Sequence, residues 1–566
     1  MNNLKQLLNI TGRTLFVIIL IFFSTSQAKN SDKFEKSNNI SNYFSGILLF
    51  NENQYEKSFE FLKKLEGLEN THFIYSSKYL YSLINSGNLN KAFNYAKKLE
   101  KDQRDIFESD LVIGVYFLKN SKFELSKKYF LKAKKRKSRS FLENYLADSL
   151  YLLSNLSSYE LEKSINYLEN FDRRFENLNK IQKVFLNCFY NSSNTENLFE
   201  NLVSDKKTDF SRYNYFYAKY LDSIGKNKKS KKIIDNALKS YPRNLLLNTY
   251  KFDEVTLKNN SNFDCKKQDN LSGEIIYIAA NALSSQNIYS LSNFYLNLAK
   301  YLNEDFHSYD TLLAENFYKI NEYTKAKKIY EKLSRIGDSL KWYSSKQISR
   351  ILIVEDEKEK SLKLFRRAYN ELGLKGIYET FDYAEFLKNN EEFDESIKYY
   401  SRILDQINRN HPLFPEVTDG RGIAYERTGQ WDKAEKDLLS SLEASPDQAY
   451  VINYLAYSWI EKGININKSL NMLERANELK KNDPYIIDSL GWALFKLKRF
   501  KESKDYLQLA VRLMPADPIV NDHYGDVLWK SGEKIQARYY WKYVLNLEKT
   551  EKDLKEIIKK KLIKGL

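Results

Sequence analysis

Histidine, cysteine and proline are all scarce in this 566-residue chain, and each scarcity closes off a class of reading. The four histidines, His72, His307, His411 and His523, are dispersed and never fall two to a helix face at metal-binding spacing, so a zinc site is unsupported. Two cysteines, Cys188 and Cys265, exclude a disulfide-dense scaffold, and neither has a CxxC partner. In an oxidising compartment the two are able to pair. Both sit near the least regular parts of the chain, and the expectation is two unpaired, partly buried thiols. Of seven prolines, six lie from Pro412 onward, which leaves the chain free for long helical content. No G-x-S-x-G elbow, P-loop or strand-linked G-x-G-x-x-G is present. The carboxylate run Glu355, Asp356, Glu357 and Glu359 reads as a solvated turn. No catalytic residue, cofactor or metal is expected, the lesser alternative being an enzyme whose site is assembled across the irregular middle, residues 140–272.

Long apolar runs are also missing, with one exception. Leu15–Phe23 is nine residues long, too short for a hydrocarbon core of about 30 Å, which needs roughly 20 residues. Lys5 and Arg13 precede it, and Ser26-Gln27-Ala28 follows with small residues at cleavage spacing. Residues 1–28 therefore read as a secretory signal peptide removed after about Ala28, with a retained membrane anchor as the alternative. The expected location is the periplasm or the periplasmic face of a bacterial envelope.

What is present is a period. Gly491 and Gly525 are 34 residues apart, as are Lys498 and Gly532, Ser503 and Ala537, and Ala510 and Val544. The phase extends through a column of markers at Gly46, Leu80, Gly114, Ala218, Ala280, Ala314, Ala384, Gly422, Ala456, Gly491 and Gly525. Seven residues after each stand Asn53, Gly87, Ser121, Gly225, Asn287, Asn321, Glu391, Gly429, Gly463, Lys498 and Gly532. Nine of these eleven are Gly, Asn or Ser, residues suited to a helix-ending turn. A third column, opening the second helix of each unit, is Ser or Ala throughout. Glycine inside a helix costs roughly 1 kcal/mol against alanine, so glycines kept in phase imply a neighbouring helix against the missing side chain.

These columns, with Pro515, resemble the tetratricopeptide repeat (TPR) family, whose unit is a helix–turn–helix of 34 residues. The resemblance implies an all-α fold, a right-handed solenoid of about twelve helical hairpins, closed by a capping helix in the charged segment 549–566. The run NYLAYSWIEKG, DSLGWALFKLKRF and NDHYGDVLWKSGEKIQARYYWK is similar to a group of exported bacterial TPR proteins, which implies an envelope location and an interaction role. The expected organisation is an N-terminal array over 29–250, an irregular linker at 251–272, a middle array over 273–404 and a regular C-terminal array over 405–548.

In the TPR family the first helix of each unit lines the concave groove. Carried over, the last three repeats present Tyr450, Asn453, Tyr457 and Ile460, then Tyr485, Asp488, Trp492 and Phe495, then Ile519, Asp522, Asp526 and Trp529. Chaperone-binding TPR domains clamp a carboxylate with Lys and Asn here. Asn453, Asp488 and Asp522 stand where that clamp places its first lysine, so carboxylate capture is not expected, and the expected guest is a peptide or protein with apolar anchors and some basic character. The alternative for Trp492 and Trp529 is packing between helices. The net charge of +16 is uneven, with 40 basic and 26 acidic side chains in residues 1–250 against 50 and 48 beyond. Lys132, Lys134, Lys135, Arg136, Lys137 and Arg139 read either as a solvated helix end or as an anion patch for an acidic protein or lipid. Nucleic acid is not expected.

Overall fold

The computed structural model describes residues 37–65, 67–68, 72–136, 140–253, 263–373 and 375–566. The expected signal segment, Lys137 and Arg139 lie outside the described residues. The described residues form thirty α-helices and no strand. Twenty-eight helices pair into fourteen hairpins, against about twelve expected, while Leu245–Phe252 and Lys552–Lys564 stand single. The stretch between the markers Gly114 and Ala218, which carries none of its own, holds two of these hairpins, Phe141–Ser154 with Leu161–Glu169 and Glu176–Phe189 with Thr195–Ser204. The chain divides into two compact units, one ending at Ala368 and one beginning at Tyr369.

The hairpins with a glycine marker cross at that marker. A Cβ on Gly46 would stand 2.5 Å from Leu62, on Gly491 2.7 Å from Leu507, and on Gly525 2.5 Å from Trp541. Gly422 is held 3.0 Å from Leu438 in the same sense, and Gly114 lies against Phe130. In every case the partner is sixteen residues after the glycine. The second repeat reverses the sizes, with Leu80 at the marker and Ala96 sixteen later, both fully buried.

The turns are as uniform. All eleven residues of the second column have positive φ, including Glu391 at 68° and Lys498 at 60°. Each turn closes with a backward bond typical of a helix C-terminus, as where Arg499 N–H donates to Leu494 C=O at 2.9 Å. The serines of the third column do more than stay small. Oγ of Ser58, Ser126, Ser292 and Ser503 donates to the carbonyl of Gly46, Gly114, Ala280 and Gly491 at 2.7–2.9 Å, twelve residues back. Ser361 does the same to Ser349, and Asp356 between them has φ 60°, which brings residues 348–368 into the pattern.

In the first unit, Cys188 and Cys265 form a disulfide with a Cα–Cα separation of 6.0 Å, correcting the expectation of unpaired thiols. Beside it Phe263 packs on Phe216 and Phe185, with ring centroids 4.4 and 5.6 Å away. A second difference follows from this anchoring: the helix Gln268–Ser285 begins inside the stretch 251–272 read as irregular. Together with Tyr289–Leu302 it packs across the first helices of the N-terminal repeats. Asn85 Nδ2 donates to Ser290 C=O at 3.2 Å, Lys119 Nζ to Leu302 C=O at 3.1 Å, and Gln268 Nε2 to Leu153 C=O at 2.9 Å. The rings of Tyr81 and Phe294 meet at 4.7 Å. Tyr81 stands one residue after its marker, the groove place that Tyr457 and Trp492 hold in later repeats, and Asn85 and Lys119 stand five after theirs, next to the groove place at four.

Candidate functional site

The first helices of the last three repeats are Ala449–Glu461, Pro484–Lys496 and Pro518–Lys530. Proline opens two of them, where its missing N–H is no loss. Asp483 and Asp517 cap them by accepting the N–H groups two and three residues on, at 2.9–3.3 Å. Tyr450, Tyr485 and Ile519 each stand six residues before the marker and are 54%, 56% and 44% exposed. Tyr450 is steadied by donating to Asp483 Oδ2 at 2.9 Å, with Lys480 Nζ 3.9 Å from its ring centroid.

Below this exposed row the other residues read as groove-lining are tied to one another. Trp492 is stacked between Phe495 at 4.8 Å and His523 at 3.9 Å, and its Nε1 donates to Glu461 Oε1 at 2.6 Å. It packs between neighbouring helices, and so does Trp529, whose ring lies 5.3 Å from Trp541 and against Gly565. Asp488 lies 2.9 and 3.1 Å from His523 Nδ1. Tyr457 is half-buried near the same imidazole. Asn453 is half-buried, and its Oδ1 has no hydrogen-bond partner.

Asp522 and Asp526 converge on one amine. Lys561 Nζ, from the C-terminal helix Lys552–Lys564, lies 2.6 and 2.8 Å from the two oxygens of Asp522 and 2.8 Å from each oxygen of Asp526. Asp526 also accepts from Trp541 Nε1 at 3.0 Å. Burial, then the nearby charge of Asp522, pushes the Asp526 carboxyl up to about 6. Burial alone would lower the His523 pKa, but the charge and hydrogen bond of Asp488, with Asp522 and Asp526 beyond, raise it. Sequence reading missed Glu461, His523 and Lys561. His523 was within reach, since it stands 35 residues after Asp488 beside a groove acid. Lys561 was not, because its helix falls outside the repeat phase.

The basic run is largely engaged. Lys132 pairs with Glu100, Asp105 and Asp110, Arg136 with Asp105 and Asp110, and Lys134 with Asp148. Lys135 is exposed. Among the described residues there is no group of three or more His, Cys, Asp or Glu able to hold a metal ion, and no helix long and apolar enough to cross a membrane. The first unit holds an open cavity of about 590 Å³, lined by Asn177, Asp209, Arg212, Arg243, Tyr277 and Glu315 among others.

Residues 486–517 match the tetratricopeptide repeat family. The TPR repeat-containing protein PA4667 of Pseudomonas aeruginosa is 27% identical over 143 residues, which are 25% of this chain and 23% of that protein. The chain thus spans about a quarter of the length of the curated relative it matches. Two similar solved structures are a thermophilic TPR protein of Thermus thermophilus (14% identity, TM-score 0.29, covering 33% of this chain and 100% of that one) and YrrB, described as a TPR protein with an unusual peptide-binding site (16%, 0.27, 35% and 97%). The family match covers one repeat, residues 486–517, and the positive-φ turns of that repeat's spacing recur in the hairpins that carry the marker column.

Proposed function

We propose that this chain is a non-enzymatic scaffold of the bacterial envelope whose C-terminal groove holds a peptide or a partner protein. The observation that carries this is a contrast between repeats. In the first unit, the groove position Tyr81 and the adjoining Asn85 and Lys119 are covered by the chain's own hairpin 268–302. In the last repeats, Tyr450, Tyr485 and Ile519 form an exposed row, one side chain per repeat, above a line of carboxylates. Aromatic anchors beside acids suit a guest with apolar and basic side chains. Export is supported by the signal-like segment 1–28 and by a disulfide, which persists in oxidising compartments. The alternative is a scaffold held at the inner membrane by a retained N-terminal segment. A mature chain that begins at Lys29 by mass spectrometry excludes it.

The binding test is crosslinking in cells followed by pull-down, with Tyr450→Ala/Tyr485→Ala as the probe. Both side chains are exposed, so their loss reports on contact rather than folding. A partner recovered with the wild type and lost with the variant supports the reading. Recovery of nothing above background from envelope extracts sinks it.

A further inference from the structure

The acidic pair at the end of the groove is already occupied by a group of recognisable chemistry. Lys561 Nζ touches all four carboxylate oxygens of Asp522 and Asp526. The three side chains are nearly dry, with exposures of 12%, 10% and 4% for Lys561, Asp522 and Asp526. Low dielectric makes such a contact strong when filled and costly when empty. Two carboxylates for one amine also leave the notch negative.

The helix that delivers the amine is weakly held. Pro518–Lys530 has ten buried residues, whereas Lys552–Lys564 has one, Ile558. Leu554 and Leu562 rest on the last-repeat core, while Ile557, Ile563 and Leu566 stay exposed. Six of its thirteen residues are lysines. An element with so few buried apolar contacts opens locally at a lower free energy than the repeats beneath it.

We propose that the Asp522–Asp526 notch is a receptor for a basic amphipathic helix of a partner, and that Lys552–Lys564 fills it in the free protein as a replaceable occupant. The partner chemistry is that of the occupant: a lysine aimed at the acid pair, with an apolar residue three positions earlier to replace Ile558 on the core. This rests on the reading of the C-terminal groove as a partner-binding surface. It adds that free and bound states compete for one pair of carboxylates.

The test uses the full chain and a fluorescent peptide of residues 552–564, read by anisotropy. Lys561→Ala vacates the notch and should bind the peptide roughly tenfold more tightly than the wild type, as expected when self-occupation is relieved. Adding Asp522→Asn/Asp526→Asn should abolish that gain. Equal binding by wild type and Lys561→Ala overturns the proposal. Hydrogen exchange on the wild type guards against a variant that does not fold: amides of 552–564 should exchange roughly a hundredfold faster than those of 518–530. Equal protection makes the helix a permanent cap and also overturns it. A pull-down that fails while the peptide binds defeats the scaffold reading and spares the notch. A pull-down that succeeds while the peptide gains nothing does the reverse.

Discussion

Nε1 of Trp541 stands 2.5 Å from where a Cβ on Gly525 would lie, and the same Nε1 donates to Oδ1 of Asp526 at 3.0 Å. Gly525→Ala gains about 1 kcal/mol of helix propensity. It also drives a methyl into an indole that cannot move without losing a charge-assisted bond. Overpacking of this kind costs about 1–3 kcal/mol and loss of a bond to a charged acceptor about 1.5–3 kcal/mol. The expected net is a loss of about 1.5–5 kcal/mol, measured by denaturant unfolding of the second unit. A stabilised Gly525→Ala would remove the steric account of the marker column.

Seven residues after Gly491 the same substitution logic reverses. Lys498 is exposed and has φ 60°, a conformation that costs an ordinary L-residue about 1–2 kcal/mol. Lys498→Gly should raise the unfolding free energy by about 1 kcal/mol, less the extra chain entropy that glycine brings to the unfolded state. An unchanged or lowered midpoint would mean that the side chain of Lys498 contributes something its exposure does not suggest.

The disulfide gives a third expectation. Cys188 and Cys265 are 77 residues apart, and closing a loop of that size stabilises by about 4 kcal/mol in the chain-entropy model. Denatured, unreduced protein should show no thiol reactive to alkylation, and two after reduction. Cys188→Ser/Cys265→Ser should lower the unfolding midpoint of the first unit alone. Two reactive thiols in unreduced protein would refute the pairing.

The parts of this fold that were legible in sequence are those fixed by one residue's sterics. Gly491 and Gly525 are glycine because a helix touches them, and Asn53 or Gly87 sits where φ turns positive. Both needs appear at fixed spacing, so they survive without coordinates. Glu391 and Lys498 adopt the same turn against their preference, held there by the flanking helices. What was hidden depends on chain folding over long separations. Asn85 meets Ser290 across 205 residues, Cys188 meets Cys265 across 77, and Lys561 reaches Asp522 across 39. No local pattern encodes those meetings. The engagement of Lys132 and Arg136 by Asp105 and Asp110 was hidden for the same reason, since the partners lie on the preceding turn and helix.

His523 makes the second unit sensitive to pH. Its imidazole stacks on Trp492, bonds to Asp488 and has Asp522 and Asp526 beside it, and its pKa is raised from 6.5. A raised folded-state pKa means that the histidine's stabilisation is complete below about pH 6.5 and is lost as pH climbs through the folded value. Asp526, raised from 3.8 to about 6, acts in the same direction in a lower window, losing its contribution between those two values. The denaturation midpoint of the second unit should therefore fall as pH rises above 6.5, and His523→Gln should flatten that part of the profile while leaving the lower window in place. A wild-type midpoint independent of pH in the upper window would mean that the imidazole is neutral in the folded state.

The first unit carries a buried charge pair whose two halves are expected to behave unequally. Arg212 Nε and Nη2 donate to the two oxygens of Glu274 at 2.7 and 2.9 Å, and the guanidinium lies 4.0 Å from the ring centroid of Tyr277. Glu274 is fully buried, and burial raises its pKa even with Arg212 beside it. Removing one member of such a pair strands the other, which costs about 3–5 kcal/mol, whereas replacing both by apolar residues of similar volume is often neutral. Arg212→Met alone should destabilise the first unit by that amount near neutral pH, with part of the loss recovered in acid as Glu274 takes a proton. Arg212→Met/Glu274→Leu should return most of the stability. If the double variant is as unstable as the single one, the guanidinium acts through its packing on Tyr277 and its bond to Ser308 at 2.7 Å, and the stranded carboxylate is not the cause.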